Sequence, residues 1–155
     1  MYTDQTGRFP VQSFCGMQYI MVLYEVDSNF ILVQEMRNRT SGEMVSAYNT
    51  LVARLKLVGF EPKTHLLDNK CSQEYKDAIT KNSMTYQLVL PHNHRRNVAE
   101  KAIQTFKDHF VAVLCGTDAK FPMQLWCCIL QQAKNQLNLL CRSRVDPSRS
   151  TFKVL

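Results

Sequence analysis

Two strand-like runs with a tight turn between them limit what this chain can fold into. Tyr19 to Val26 and Phe30 to Glu35 are rich in β-branched and aromatic residues, and they flank Asp27-Ser28-Asn29, a hairpin turn signal. Residues 2–7 read as a further short strand ahead of them. The apolar period then changes. Thr40-Ser41-Gly42-Glu43 has the spacing of a capping box. Met44, Tyr48, Leu51, Leu55 and Val58 recur at helical spacing until Gly59 supplies a stop. Leu66 to Asp68 is a short buried strand, a short helix starts near Ser72, and Tyr86 to Leu90 is another strand, ended by Pro91. A basic helix runs from about Arg95 to Cys115. The last helix starts near Pro122 and carries Leu125, Ile129, Ala133, Leu137 and Leu140 on one face. Three strands, a helix, then alternating strands and helices predict an α/β domain with a five-stranded mixed sheet flanked by helices.

The basic helix carries two stripes. Ala99, Ile103, Phe106, Phe110 and Val113 recur at steps of four and three, which is the spacing of a helix lying on a core. Beside them run Arg96, Glu100, Gln104 and Lys107, a carboxylate within a row of cations and an amide. Such a row suits a surface that meets metal and phosphate. Two further acids stand upstream. Asp68 closes an apolar run and is followed by Asn69, and Asp4 lies in the segment Thr3-Asp4-Gln5-Thr6-Gly7-Arg8-Phe9-Pro10. Read on spacing alone, the three acids are equally a surface Asp near a terminus, a strand-end Asp and a helix N-terminal Glu favoured by the macrodipole. His92 and His94 stand two residues apart, with no Cys or His pair to complete a zinc site.

The order Asp, strand-end Asp and helical Glu, with its flanking segments, resembles the Asp-Asp-Glu centre of retroelement integrases. The likeness is to the integrase core of copia-like retrotransposons. Besides the opening segment, it rests on the Tyr19 to Val33 hairpin, Leu67-Asp68-Asn69, His94-Arg95-Arg96-Asn97-Val98-Ala99-Glu100, Phe121-Pro122 and Leu125-Trp126. It covers nearly the whole chain, residues 1–155. It implies a ribonuclease H-like fold and a metal-dependent polynucleotidyl transferase that trims 3′ ends of DNA and joins them to target DNA. Asp4, Asp68 and Glu100 would be the catalytic residues and the ligands of two Mg²⁺ or Mn²⁺ ions, with Asn69 orienting a ligand or a water. Arg95, Arg96, Gln104 and Lys107 would contact double-stranded DNA, and the protein would act as a homo-oligomer. In such proteins a zinc-binding segment precedes the core and further regions follow it. The expectation is therefore a core truncated at its N-terminus, an excised or degenerate piece of a longer polyprotein. Two positions depart from the resembled branch: Lys70 stands where it has an acidic residue, and Cys127 where it has Asp. They point to the alternative, a non-catalytic DNA-binding or scaffold fragment.

The net charge of +6 favours a polyanionic partner. Six cysteines without Cys-x-x-Cys spacing read as reduced thiols of an intracellular protein, nuclear if it acts on genomic DNA. No apolar run is long enough to span a bilayer, so no membrane partner is expected.

Overall fold

The computed structural model describes residues 1–68, 71–89 and 94–153; within these, the side chains of Asp68, Val89 and residues 94–99 are not described. Five strands form one sheet: β1 (Tyr2–Gln5), β2 (Tyr19–Glu25), β3 (Phe30–Met36), β4 (Thr64–Asp68) and β5 (Thr85–Val89). Their order is β3-β2-β1-β4-β5. The first three are antiparallel neighbours, while β4 is parallel to both β1 and β5. The sheet is therefore mixed and five-stranded, as the order of periodicities predicts. Four helices accompany it: α1 (Ser41–Leu57), α2 (Gln73–Lys81), α3 (His94–Cys115) and α4 (Trp126–Leu140).

The β2–β3 hairpin closes through its own side chains. Glu25 is buried, and its carboxylate accepts bonds from Ser28 N (2.7 Å), Ser28 Oγ (2.5 Å) and Asp27 N (3.2 Å). Asn29 takes the left-handed conformation at φ 66° and accepts a bond from the Tyr24 hydroxyl at 3.0 Å. Side chains alternate across a strand, so β2 serves two cores. Met21 and Leu23 pack with Leu32 and Met36 under α1 and α2. Ile20, Val22 and Tyr24 pack with Ile31 and Val33 under α3 and α4. A sheet covered on both faces needs apolar residues at successive positions, which is why the hairpin reads as continuous apolar runs.

The edge strand β3 is partly closed by a side chain. Buried Asn138 on α4 accepts from Ile31 N at 3.0 Å and donates to Ile31 O at 2.8 Å, the two bonds a neighbouring strand would make. Helix α1 stops at Gly59, as its sequence implies. Gly59 has φ +87°; its N–H bonds to Lys56 O at 3.0 Å, and Phe60 N–H to Leu55 O at 3.2 Å, the paired closing bonds of a Schellman end.

Two local expectations need correction. The capping box does not form: the Thr40 hydroxyl donates to Asn38 Oδ1 at 2.6 Å, and Glu43 accepts from Arg37 N at 2.9 Å. The Asn38 turn captures the cap residue before the helix can use it. The last helix begins at Trp126, after a 3₁₀ turn at Met123–Leu125, not at Pro122. Its inward face is Trp126, Leu130, Ala133 and Leu137, while Leu140 is exposed. Apolar residues on both sides of α4 blur the stripe, and the docking of Trp126 decides it. The Trp126 indole is fully buried, donates to Val11 O at 3.0 Å and stacks on Phe9 at 4.5 Å.

Candidate active site

Because β1, β4 and β5 are parallel, their C-terminal ends lie at one end of the sheet. Open α/β sheets hold ligands outside that end. Asp4 is the third residue of four-residue β1, and Asp68 is the last residue of β4. Tyr2 pairs with Leu66 across the two strands. Two residues further along each strand stand Asp4 and Asp68, so both lie towards the C-terminal ends of these adjacent strands. Asp68 is in turn opposite Val89 on β5. β5 ends at Val89 and α3 starts at His94, so the helix bearing Glu100 follows the same end of the sheet.

Strand alternation also fixes the face of Asp4. Tyr2 packs into the core beneath α3 and α4, and Asp4, two residues on, shares that face of β1. The Asp4 carboxylate is exposed, and its Oδ1 accepts from Gln5 N at 2.8 Å. Asp4 also borders a cleft of about 110 Å³ on the other face of the sheet, lined by Thr3, Gln5, Leu67, Cys71 and Tyr75 among others. On α3, Glu100 is exposed one turn before Ile103, the first described side chain of the helix to enter the core. Asn69 and Lys70 lie outside the described residues, as do the side chains of Asp68, Arg95 and Arg96. Among the described residues no three His, Cys, Asp or Glu side chains form a group that could hold a metal ion; the Asp68 side chain is not among those. Asp4 and Asp68 thus stand on adjacent parallel strands towards the same end of the sheet, the end from which the chain runs on to the Glu100 helix.

Farther along α3, Gln104 is exposed, and its Nε2 donates to Asp108 Oδ1 at 2.7 Å, which leaves one amide hydrogen for another acceptor. Lys107 is half-buried beside Phe106 and Phe110.

A buried polar chain underlies the site, and the sequence reading does not contain it. His65 on β4 is fully buried, with Nε2 at 2.9 Å from Thr3 Oγ1. Thr3 Oγ1 is 2.8 Å from the Tyr75 hydroxyl, which donates to Met21 Sδ at 3.9 Å. The His65 ring stacks on Tyr48 at 5.3 Å with an interplanar angle of 5°. Burial, aided by the positive chain terminus, lowers the His65 pKa to about 3, so the ring is neutral at physiological pH. Burial likewise pushes the Tyr75 phenol far above its ordinary range. Thr3 directly precedes Asp4 on β1, and His65 lies three residues before Asp68 on β4. Their bond ties β1 to β4, and Tyr75 ties α2 to both. The signal available in the sequence was a lone His inside an apolar run, more often a core residue than a site.

The segment after Asp4 is also pinned. Thr6 N bonds to Ile20 O at 2.8 Å, Thr6 Oγ1 accepts from Ile20 N at 3.0 Å, and the Arg39 guanidinium donates to Thr6 O. Asp4 therefore stands on strand backbone held from both sides.

No protein-family model and no curated protein matches the chain. Solved structures do. The catalytic core domain of BIV integrase has a TM-score of 0.71 at 16% identity, covering 99% of this chain and 90% of that one. A chain of the simian T-cell lymphotropic virus intasome, solved with the PP2A regulatory subunit B56 gamma, has a TM-score of 0.74 at 18% identity. It is covered over 52% of its length, so this chain spans about half of it, with 98% of this chain matched. The fold is accordingly the ribonuclease H-like fold of retroviral integrase cores, as the resemblance implies.

Proposed function

We propose that this chain is a metal-dependent polynucleotidyl transferase of the integrase type, descended from a copia-like retrotransposon. The observation that carries the reading is the placement of Asp4 and Asp68 towards the C-terminal ends of adjacent parallel strands, in a fold shared with integrase cores. Asp4, Asp68 and Glu100 would hold two Mg²⁺ or Mn²⁺ ions. The donor set suits them, since hard divalent ions prefer carboxylate oxygen and Asp4 presents an exposed carboxylate with one oxygen already oriented by Gln5 N–H. Such ions supply a Lewis acid and an activated oxygen nucleophile for an in-line displacement at phosphorus. The chain's own part is to hold the carboxylates fixed through Thr3, His65 and Tyr75, and to grip the DNA. Arg95, Arg96, Lys107 and the second amide hydrogen of Gln104 would contact phosphates, with Asn69 orienting a ligand. The likeness to an intasome chain supports double-stranded DNA as the partner and a homo-oligomer as the working form. For an enzyme acting on genomic DNA, the place of action would be the nucleus.

Lys70 and Cys127 favour a second reading, a non-catalytic DNA-binding or scaffold fragment. Both readings predict DNA binding that falls steeply with salt, because neutralised phosphates release counterions. Replacing Arg96 and Lys107 together by Ala should weaken binding and flatten the salt slope by about two. The readings part at chemistry. With Mg²⁺ or Mn²⁺, the transferase should nick or reverse a branched DNA substrate, the reaction that asks least of flanking regions. DNA binding without such nicking at any divalent-ion concentration would establish the scaffold instead.

A further inference from the structure

Between the segment after β1 and the second half of α3 lies a cleft of about 620 Å³ that shares only Lys107 with the residues proposed to act on DNA. Its walls are almost wholly apolar: Phe9, Ile20, Phe106, Phe110, Leu114 and Met123. The aromatic walls are held in place before any ligand arrives. Phe9 is stacked on Trp126 at 4.5 Å and lies 5.7 Å from Phe110, which stacks on Phe106 at 5.9 Å. At the rim Val111 is 53% and Met123 41% exposed, so apolar surface continues out to solvent. Two cations, Arg8 and Lys107, complete the lining, and neither forms an ion pair with a described residue. The cleft contains no carboxylate.

A preformed apolar cleft of this size with a few convergent polar groups is the usual form of a small-molecule site. The polar groups here share one sign. We propose that the cleft binds an amphiphilic monoanion, a medium-chain alkyl carboxylate, with the chain against Phe9, Phe110 and Leu114 and the carboxylate between Arg8 and Lys107. The charge complementarity selects this occupant. A neutral apolar ligand would leave both cations unpaired, and a multiply charged one would place charge against phenylalanine. The proposal stands on the cleft alone and holds whether or not the chain cuts DNA. Its occupant would also withdraw Lys107 from phosphate.

Dodecanoate and decanoate, kept below their micelle concentrations, are the probes, and dodecanol is the neutral control. Calorimetry should show one dodecanoate per chain, with decanoate weaker by roughly fifteenfold, since it lacks two methylenes and each one buried is worth about fourfold in affinity. The double variant Arg8→Ala/Lys107→Ala should bind dodecanoate at least tenfold more weakly and dodecanol unchanged. Val111→Glu, on the exposed rim, should weaken dodecanoate without unfolding the protein. Dodecanoate should also slow alkylation of exposed Cys115, which lines the cleft, and leave exposed Cys128 unaffected, as read by peptide mass mapping. Absence of saturable binding overturns the proposal. So does dodecanoate affinity unchanged in both variants, or alkylation of Cys115 that the ligand does not alter.

Discussion

Replacing Asp68 by Asn should lower divalent-dependent nicking of branched DNA at least about a thousandfold, equivalent to about 4 kcal/mol of activation free energy. Asn keeps the shape of the residue and the backbone pairing of β4 with β1 and β5, so the sheet should survive. What it removes is a negative oxygen at the C-terminal end of β4, the strand beside the one that carries Asp4. Asp4→Asn should be equally severe, and the double variant little worse than either, because groups that act as a unit lose their effect together. Glu61→Gln is the control. Glu61 is exposed just ahead of β4, at the opposite end of the sheet, and its loss should change the rate by less than twofold. Single-turnover nicking rates decide the matter. A full rate in either aspartate variant would remove these residues from the chemistry.

The second large effect is on stability. His65 is buried and neutral, with a pKa of about 3 in the fold against 6.5 for an ordinary imidazole. Between those values the unfolded chain binds a proton that the folded chain refuses, so stability is complete above about pH 6.5 and falls as the solution is acidified. Below about pH 3 both states are protonated and the loss levels off. The slope is about 1.4 kcal/mol per pH unit. Going from pH 7.5 to 4.5 should therefore remove about 2–3 kcal/mol, a large fraction of the 5–15 kcal/mol typical of a domain. Urea unfolding at the two pH values should show this loss in the parent and about that much less of it in His65→Asn. The same acid loss in both proteins would place the sensitivity in other groups. The effect reaches the site because His65 holds Thr3, and Thr3 precedes Asp4 on β1.

What the sequence made legible were features carried by neighbours along the chain. The β2–β3 hairpin, the stop at Gly59, the helix from Ser72 and the stripe Ile103, Phe106 and Phe110 each follow from local pattern, and each appears in the fold. That Asp4 and Asp68 lie on adjacent strands was legible only through a family resemblance, since it depends on a parallel pairing between residues more than sixty positions apart. For the same reason the Thr3–His65–Tyr75 chain was not visible. Its bonds join residues 62 and 72 positions apart, and no local pattern marks a threonine as the partner of a distant histidine. The inward face of α4 was read only in part: Ala133 and Leu137 do face the core and Ile129 packs against it, but exposed Leu140 does not, and Trp126 and Leu130 complete the face. Contacts of Trp126 with Phe9 and Val11, more than a hundred residues away, settle it. The cleft beside Arg8 and Lys107 arises from the same long-range docking and was hidden in the same way.

Asp4 and Asp68 are proposed to form a cation site towards the ends of β1 and β4. Two carboxylates held side by side repel unless a cation or a proton joins them, so the pair should take up a divalent ion when one is offered. Calorimetric titration with Mn²⁺ tests this without requiring DNA or activity. The account predicts saturable uptake by the parent protein, tighter uptake in Lys70→Glu, where a nearby cation is replaced by a carboxylate, and none in Asp68→Asn. Equal uptake by the parent and Asp68→Asn would place the ion elsewhere and contradict it.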